Sequence, residues 1–235
     1  VLAARGPSFC AGGDLKWMQA QMIANAPTRA AAARALAMML QAWNTLPQPV
    51  IGRIHGNAFG GGVGLTAICD VAVGVEGALM GLTETKLGLI PATIGPYVIA
   101  RMGEASARRV FMSSRHFSAQ EAEKIGLLAF VVPQDRLDVA VAAEVEPYLN
   151  CAPGAVAAAK SLVRALGPKI DSQTIEMTIS ALVTQWEGDE AGQGIAAFFA
   201  KAPPLGLFDP REWIKFPSHG LRMRNRGVDP LGCEA

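Results

Sequence analysis

Three consecutive glycines, Gly60-Gly61-Gly62, stand where an apolar strand gives way to a helix, an arrangement that is costly in conformational entropy. Val50 to Ile54 reads as the strand, H55-G-N-A-F59 as the connection, and the helix runs on to about Cys69. Glycine loses more conformational freedom on folding than any other residue, so three together need a steric or ligand reason. A helix N-terminus offers unpaired N–H groups and a partial positive charge, suited to a carbonyl oxygen gaining negative charge. The plainer reading is a packing site where backbone crosses backbone. This segment alone leaves both open.

Short strands and helices alternate around that junction. Residues 1–4 form an apolar strand, R5-G-P-S8 a turn, and F9-C-A-G-G-D-L-K16 a glycine-containing loop. Leu36, Met39, Leu40 and Trp43 recur at helical spacing and predict a helix from Thr28, its N-cap, to Leu46, closed by Pro47 and Pro49. Val71 to Val75 is a buried strand, and Met80-Gly81 a shorter one leading to Glu84. Beyond Pro91 the pattern is helical over Tyr97–Met102 and Ser106–Ser113. Ser118-x-x-Glu121 is a capping box opening a short helix that ends at Gly126. Leu127 to Val132 reads as a strand and the remainder to about Ala202 as helices. One of these carries an apolar face of Ile175, Ile179, Leu182, Val183 and Trp186. The order argues an α/β core followed by a helical part.

Composition narrows the class. Of 235 residues, 51% are hydrophobic and 17% charged, a globular balance with apolar surface to spare for a large core or a subunit interface. A net charge of +1 gives no footprint for nucleic acid. Four cysteines, Cys10, Cys69, Cys151 and Cys233, are widely spaced and lack metal-ligand spacing; they read as reduced thiols in a cytoplasmic setting with no metal bound. Neither a bilayer-spanning segment nor a secretory leader is expected. The opening V1-L-A-A-R reads as the end of a strand already under way, so missing N-terminal residues are expected. After Pro204 the chain loses periodicity, and 205–235 is expected to be an irregular tail.

Two further segments carry chemistry. In F9-C-A-G12-G13-D14-L-K16 two adjacent glycines allow close approach to backbone N–H groups; the plainer reading is a tight turn with an Asp helix cap. In M80-G-L-T-E84-T-K-L-G88-L-I-P91, a glutamate lies among apolar residues. Buried, it would be desolvated and its pKa raised, as a proton-transfer group needs; exposed, it would pair with Lys86. A dinucleotide reading of G62-V-G64-L-T-A67 with Glu84 fails twice. The glycines do not follow directly on the strand, and the next strand would nominate Glu76 instead. His55 reads as a turn or packing residue, Asp70 as a helix end bonding backbone N–H groups, and Trp43 and Trp186 as core or interface.

Taken in order, F-C-A-G-G-D-L, H-G-N-A-F-G-G-G-V-G-L-T-A-I-C-D and G-L-T-E-T-K-L-G-L-I-P resemble the signature stretches of the crotonase (enoyl-CoA hydratase/isomerase) superfamily. The resemblance continues through F117-S-A-Q-E-A-E-K-I-G-L-L and covers about residues 1–204. It implies a spiral of ββα units over 1–150, its first strands missing, a helical trimerisation region over 151–204, and homotrimers or hexamers. It also implies an oxyanion hole at the N–H groups of Gly13 and Gly61, and substrate or coenzyme A contacts at Ala11, Gly13, Asp14, Lys16 and Gly61. Glu84 matches the second acid/base glutamate of the hydratases, whereas the first falls on Gly64, which has no side chain to transfer a proton.

The implied activity is hydration of an enoyl-CoA ester, with coenzyme A part of the substrate and no separate cofactor. The detail of E84-T-K-L-G-L-I-P-A-T-I-G-P-Y-V-I-A-R-M-G-E is similar to methylglutaconyl-CoA and isohexenylglutaconyl-CoA hydratases, whose substrates carry a second carboxylate; Lys86 or Arg101 would face it. Double-bond isomerisation by the single glutamate is the alternative within the family. A non-catalytic acyl-CoA or RNA-binding module is the alternative of another class, and a fragment inactive apart from its full-length parent is a further one.

Overall fold

The computed structural model describes residues 1–203. Expectations for the tail and for Cys233 lie outside the described residues. Strands β1 (Leu2–Ala3), β2 (Ile51–Ile54), β4 (Val71–Val75) and β7 (Phe130–Val132) make a parallel four-stranded sheet in the order β1-β2-β4-β7. Strands β3 (Ala58–Phe59), β5 (Leu79–Gly81) and β6 (Phe117–Ser118) make a second sheet, β3 parallel and β6 antiparallel to β5. The chain visits the first sheet, then the second, then a helix. It does so in β2–β3–α3 (Gly61–Ala67) and again in β4–β5–α4 (Gly95–Phe111), the winding of ββα units expected from the sequence.

The other helices are α1 (Leu15–Ile23), α2 (Ala26–Asn44), α5 (Ala119–Lys124), α6 (Leu137–Leu149), α7 (Pro153–Leu166), α8 (Ser172–Glu187) and α9 (Asp189–Phe199). No described helix is long and apolar enough to cross a membrane. Ile54, Val63, Val73, Met80, Leu82, Val98, Val110, Leu127 and Leu137 are fully buried in the core shared by the sheets and α3–α6. Each such side chain stabilises the fold by about 1.5–3 kcal/mol relative to exposure. A smaller cluster joins Ala33 and Ala37 of α2 to Ile175 and Ile179 of α8. Another joins Leu89 and Trp186 to Ala191 and Ile195 of α9, placing the C-terminal helices against the segment that follows Glu84.

Several boundaries differ from those read in the sequence. Helix α2 begins at Ala26, not Thr28, and its cap is Asn25, whose Oδ1 accepts from the Thr28 N–H at 3.0 Å. Proline is tolerated in a first turn because its missing N–H would be unpaired there anyway, so Pro27 lets the helix start early. Strand β7 begins only at Phe130 because the N–H groups of Leu127 and Leu128 both donate to Ala122 O, turning them back onto α5. Half of the capping box forms: Ser118 Oγ accepts from the Glu121 N–H at 3.2 Å, but Arg115 clasps the Glu121 carboxylate at 2.9 and 2.6 Å. The two helical stretches beyond Pro91 join as α4, interrupted by Gly103 at φ 75°.

Candidate active site

Cys10 lays the first glycine loop along β3. Its N–H donates to Asn57 O at 3.0 Å and its carbonyl accepts from the Phe59 N–H at 2.9 Å, which brings Gly12 and Gly13 beside the start of α3. Asp14 then caps α1, its Oδ1 accepting from the Trp17 N–H at 2.8 Å. The plainer reading of Asp14 is therefore the one its geometry displays. Ala11, Asp14 and Lys16 are exposed on the outside of this loop and helix.

The three glycines at the start of α3 have different reasons. Gly60 sits at φ 51°, ψ −117°, donates to Gly81 O at 2.9 Å, and a Cβ there would meet Glu84 Oε1 at 3.1 Å. A Cβ on Gly62 would come within 2.6 Å of Cys10 Cβ and 3.3 Å of Cys10 O, so here the chain passes tightly over the first glycine loop. Gly61 faces open space with nothing within 4 Å of its Cβ position. Among the described residues no protein acceptor takes the N–H of Gly61 or of Gly13. The packing reading thus holds at Gly62, and the N–H of Gly61 is left available to a ligand.

Glu84 opens a 3₁₀ turn, Glu84–Leu87, directly after β5. Ser114 braces that turn from behind. Its buried hydroxyl accepts from the Lys86 N–H at 3.2 Å and shares a hydrogen bond with Thr85 Oγ1 at 2.5 Å, its backbone held at φ 49°. Helix α9 presses on the turn backbone to backbone: a Cβ on Gly194 would lie 2.5 Å from the Leu87 carbonyl carbon. So held, Glu84 has a buried Oε2 with no hydrogen-bond partner. Burial pushes its carboxyl up from 4.5 to about 7, opposed only by a backbone hydrogen bond. Lys86 is exposed while Glu84 Oε2 is buried without a partner, which removes the surface-pair reading.

Gly13, Gly61 and Glu84 line one cavity of about 290 Å³. Its other walls are mostly apolar, with Trp17 and Met18 from α1, Met39 and Leu40 from α2, Leu65 from α3, Ile90 and Ile94 after the 3₁₀ turn, and Leu182 and Trp186 from α8; Thr83 and Thr93 add hydroxyls. None of the described lining residues is cationic. Lys86 and Arg101, expected to face a second substrate carboxylate, do not line it. Arg101, on α4, lies instead beside the segment that follows α3, donating to Asp70 O at 3.0 Å and Leu127 O at 3.4 Å. It borders a larger, more open crevice of about 560 Å³ that lies away from Glu84. Two unpaired N–H groups and a carboxyl near neutrality around one apolar space can hold a developing oxyanion and move a proton beside it.

Gly64 is packed rather than merely bare. A Cβ there would lie 2.3 Å from Ile94 Cγ2, so Ile94 fills the volume a longer side chain would need. His55 is a packing residue, its Nε2 hydrogen-bonded to Gly6 O at 2.9 Å. The sequence offers the Asp14 cap but does not announce the contribution of α1 to the site, nor the part played by α8. The periodic face through Leu182 and Trp186 was the available signal for the latter.

The Enoyl-CoA hydratase/isomerase family model matches residues 1–205. The mevalonyl-coenzyme A hydratase sidH of Aspergillus fumigatus is 32% identical over 87% of this chain and 76% of its own length. Enoyl-CoA hydratase AKT6-1 of Alternaria alternata is 31% identical over 84% of this chain, which spans 65% of that relative. The crystal structure of an enoyl-CoA hydratase from Shewanella pealeana superposes with a TM-score of 0.68 at 35% identity, covering 87% of this chain and 77% of that one.

Proposed function

The chain belongs to the enoyl-CoA hydratase/isomerase family, within the crotonase superfamily, and from that premise we propose that it adds water across the double bond of a 2-enoyl-CoA ester with one carboxylate, Glu84. The observation that carries this reading is the unpartnered, buried Glu84 Oε2 on the same cavity as the unpaired N–H groups of Gly13 and Gly61. In the proposed reaction the thioester oxygen accepts from those two N–H groups. The Glu84 carboxylate takes a proton from water as the water oxygen bonds to Cβ, and the π electrons move to an enolate on the thioester oxygen. Glu84 then returns the proton to Cα, so that one water is consumed and the carboxylate is regenerated.

A single-glutamate mechanism is supported by the packing of Ile94 against Gly64, which leaves no room for a second carboxylate at that position. The apolar cavity supports a branched acyl group. A glutaconyl-type ester would need a cation for its distal carboxylate, and neither Lys86 nor Arg101 offers one there; we therefore assign an apolar acyl tail. Ala11, Asp14 and Lys16, at the rim beside Gly13, are proposed to meet the coenzyme A portion. The exposed Leu162, Val163 and Leu166 of α7 support self-association as a trimer or hexamer, and the free thiols of Cys10, Cys69 and Cys151 a cytoplasmic setting.

The lone carboxylate also suits isomerisation, in which the same group moves a proton between the α and γ carbons. The deciding experiment is to assay the chain with 2-enoyl and 3-enoyl esters, with and without Glu84→Gln. Water addition abolished by the substitution supports the proposal. Double-bond migration without hydration selects isomerisation. Ester binding with no turnover in either form selects a non-catalytic binding module.

A further inference from the structure

Arg29, on α2, uses one guanidinium to hold the ends of two other helices. Its side chain is only 11% exposed. Nε donates to Gln21 O at 3.0 Å and Nη2 to Met22 O at 3.3 Å, both in the last turn of α1. Nη1 donates to Trp186 O at 3.3 Å, in the last turn of α8, and also meets the Glu187 carboxylate. The guanidinium carbon lies 5.4 Å from the centroid of the Trp186 ring. The last carbonyls of a helix lack internal partners and carry partial negative charge, so a planar cation with several fixed donors satisfies both ends at once.

Both tethered helices are walls of the cavity. Helix α1 starts two residues after Gly13 and contributes Trp17 and Met18; α8 contributes Leu182 and Trp186. Helix α1 has few apolar contacts besides: Met18 and Gln21 are its buried residues, and half-buried Met22 packs against the Trp186 cluster. The polar anchor of its C-terminal end is Arg29.

We propose that Arg29 is a positioning residue that latches α1 to α8 and thereby sets which acyl chains the cavity accepts; this rests on reading the cavity as an acyl-CoA site. Arg29 does not touch the reacting atoms, and acts through the placement of Trp17, Met18 and Trp186. Lysine cannot replace it, because one ammonium cannot reach acceptors on two helices in the fixed directions of a guanidinium. The Glu187 contact is secondary, since that carboxylate is 53% exposed and surface ion pairs contribute little.

The test compares native chain, Arg29→Gln, Arg29→Lys and Glu187→Gln by steady-state kinetics on crotonyl-CoA and on a longer branched 2-enoyl-CoA, and by amide exchange. Arg29→Gln should raise KM for the longer ester about tenfold, leave kcat on crotonyl-CoA within about threefold, and unprotect amides 15–23 while those of α4 stay protected. Arg29→Lys should not restore KM, and Glu187→Gln should behave as the native chain. Native exchange at 15–23 in Arg29→Gln overturns the latch. So does equal loss of kcat on both esters with unprotection spreading through α4, or a Glu187→Gln variant as impaired as Arg29→Gln. If the native chain hydrates no ester the functional reading fails, while exchange at 15–23 still decides whether Arg29 holds α1.

Discussion

At the N-terminal end of α3 the chain leaves polar groups open, and at the C-terminal end it closes them. The first end has the free N–H of Gly61 and, across the cavity, a buried carboxylate oxygen with no partner. The second has Asp70, whose Oδ2 accepts from the Val50 N–H at 2.7 Å and from Lys160 Nζ at 2.6 Å, and whose carbonyl accepts from Arg101. Lys160 Nζ reaches Gln48 O as well, at 3.0 Å. Both ends bear a carboxylate: that of Asp70 is fully engaged, whereas burial pushes the unpartnered Glu84 carboxyl up to about 7. A fold that satisfies one end so fully shows what the ordinary solution is. The open end costs stability, and such costs persist where the open groups are used.

The largest way to break that contrast is Glu84→Gln. Water addition should fall by about 10²–10⁴-fold while the fold is retained, measured as the loss of the conjugated thioester's absorbance. In the proposed reaction the carboxylate is the working form, so kcat/KM should rise with pH through about 7 and level off above it. Stability should run the other way. A carboxyl whose folded pKa lies above its unfolded one binds protons more tightly when folded, so stability declines as pH rises from about 4.5 to about 7. Glu84→Gln should remove that slope and stabilise the protein at neutral pH by no more than about 3 kcal/mol in chemical denaturation.

Gly64→Ala tests the packed side of the same helix end. The new methyl would meet Ile94 Cγ2 at 2.3 Å, which should cost about 1–3 kcal/mol. Adding Ile94→Ala should make the two penalties sub-additive by about 1 kcal/mol or more in a double-mutant cycle. At the closed end, Asp70→Asn should lower stability by about 1–3 kcal/mol with activity per folded molecule unchanged. The smallest effect belongs to Lys86→Ala, expected to leave kcat/KM within about twofold because Lys86 is exposed and off the cavity.

The open end was the more legible in sequence. Glycines and a glutamate among apolar residues are local signals, and the order of three such segments carried the family. Positions that depend on distant partners were not legible. Arg29 gave no sign of itself, because its acceptors include a carbonyl on a helix far along the chain and the signal is geometry rather than residue type. Arg101, one of two candidate partners for a second substrate carboxylate, instead serves two backbone carbonyls, and a buried arginine and a solvated one look alike in sequence. Beyond the Asp14 cap, helix α1 has no sequence signature, because only Met18 and Gln21 face inward, too few to set up a period. The Asn25 cap was passed over for Thr28, an error of competing cap residues at a boundary where proline also fits.

The alternation of strands between two sheets has a consequence for the order of assembly. Leu2 pairs with Gly52, Val73 with Phe130, and Cys10 with Ala58, so hardly any strand can find its neighbour by closing a short loop. Such non-local, mostly parallel pairing is slow to nucleate, and its edges stay unpaired until each winding meets the next. Gly13 and Glu84 approach Gly61 only through those long-range bridges. Catalytic competence should therefore lag helix formation during refolding and report the closing of the coil, a clock that helical circular dichroism would run ahead of.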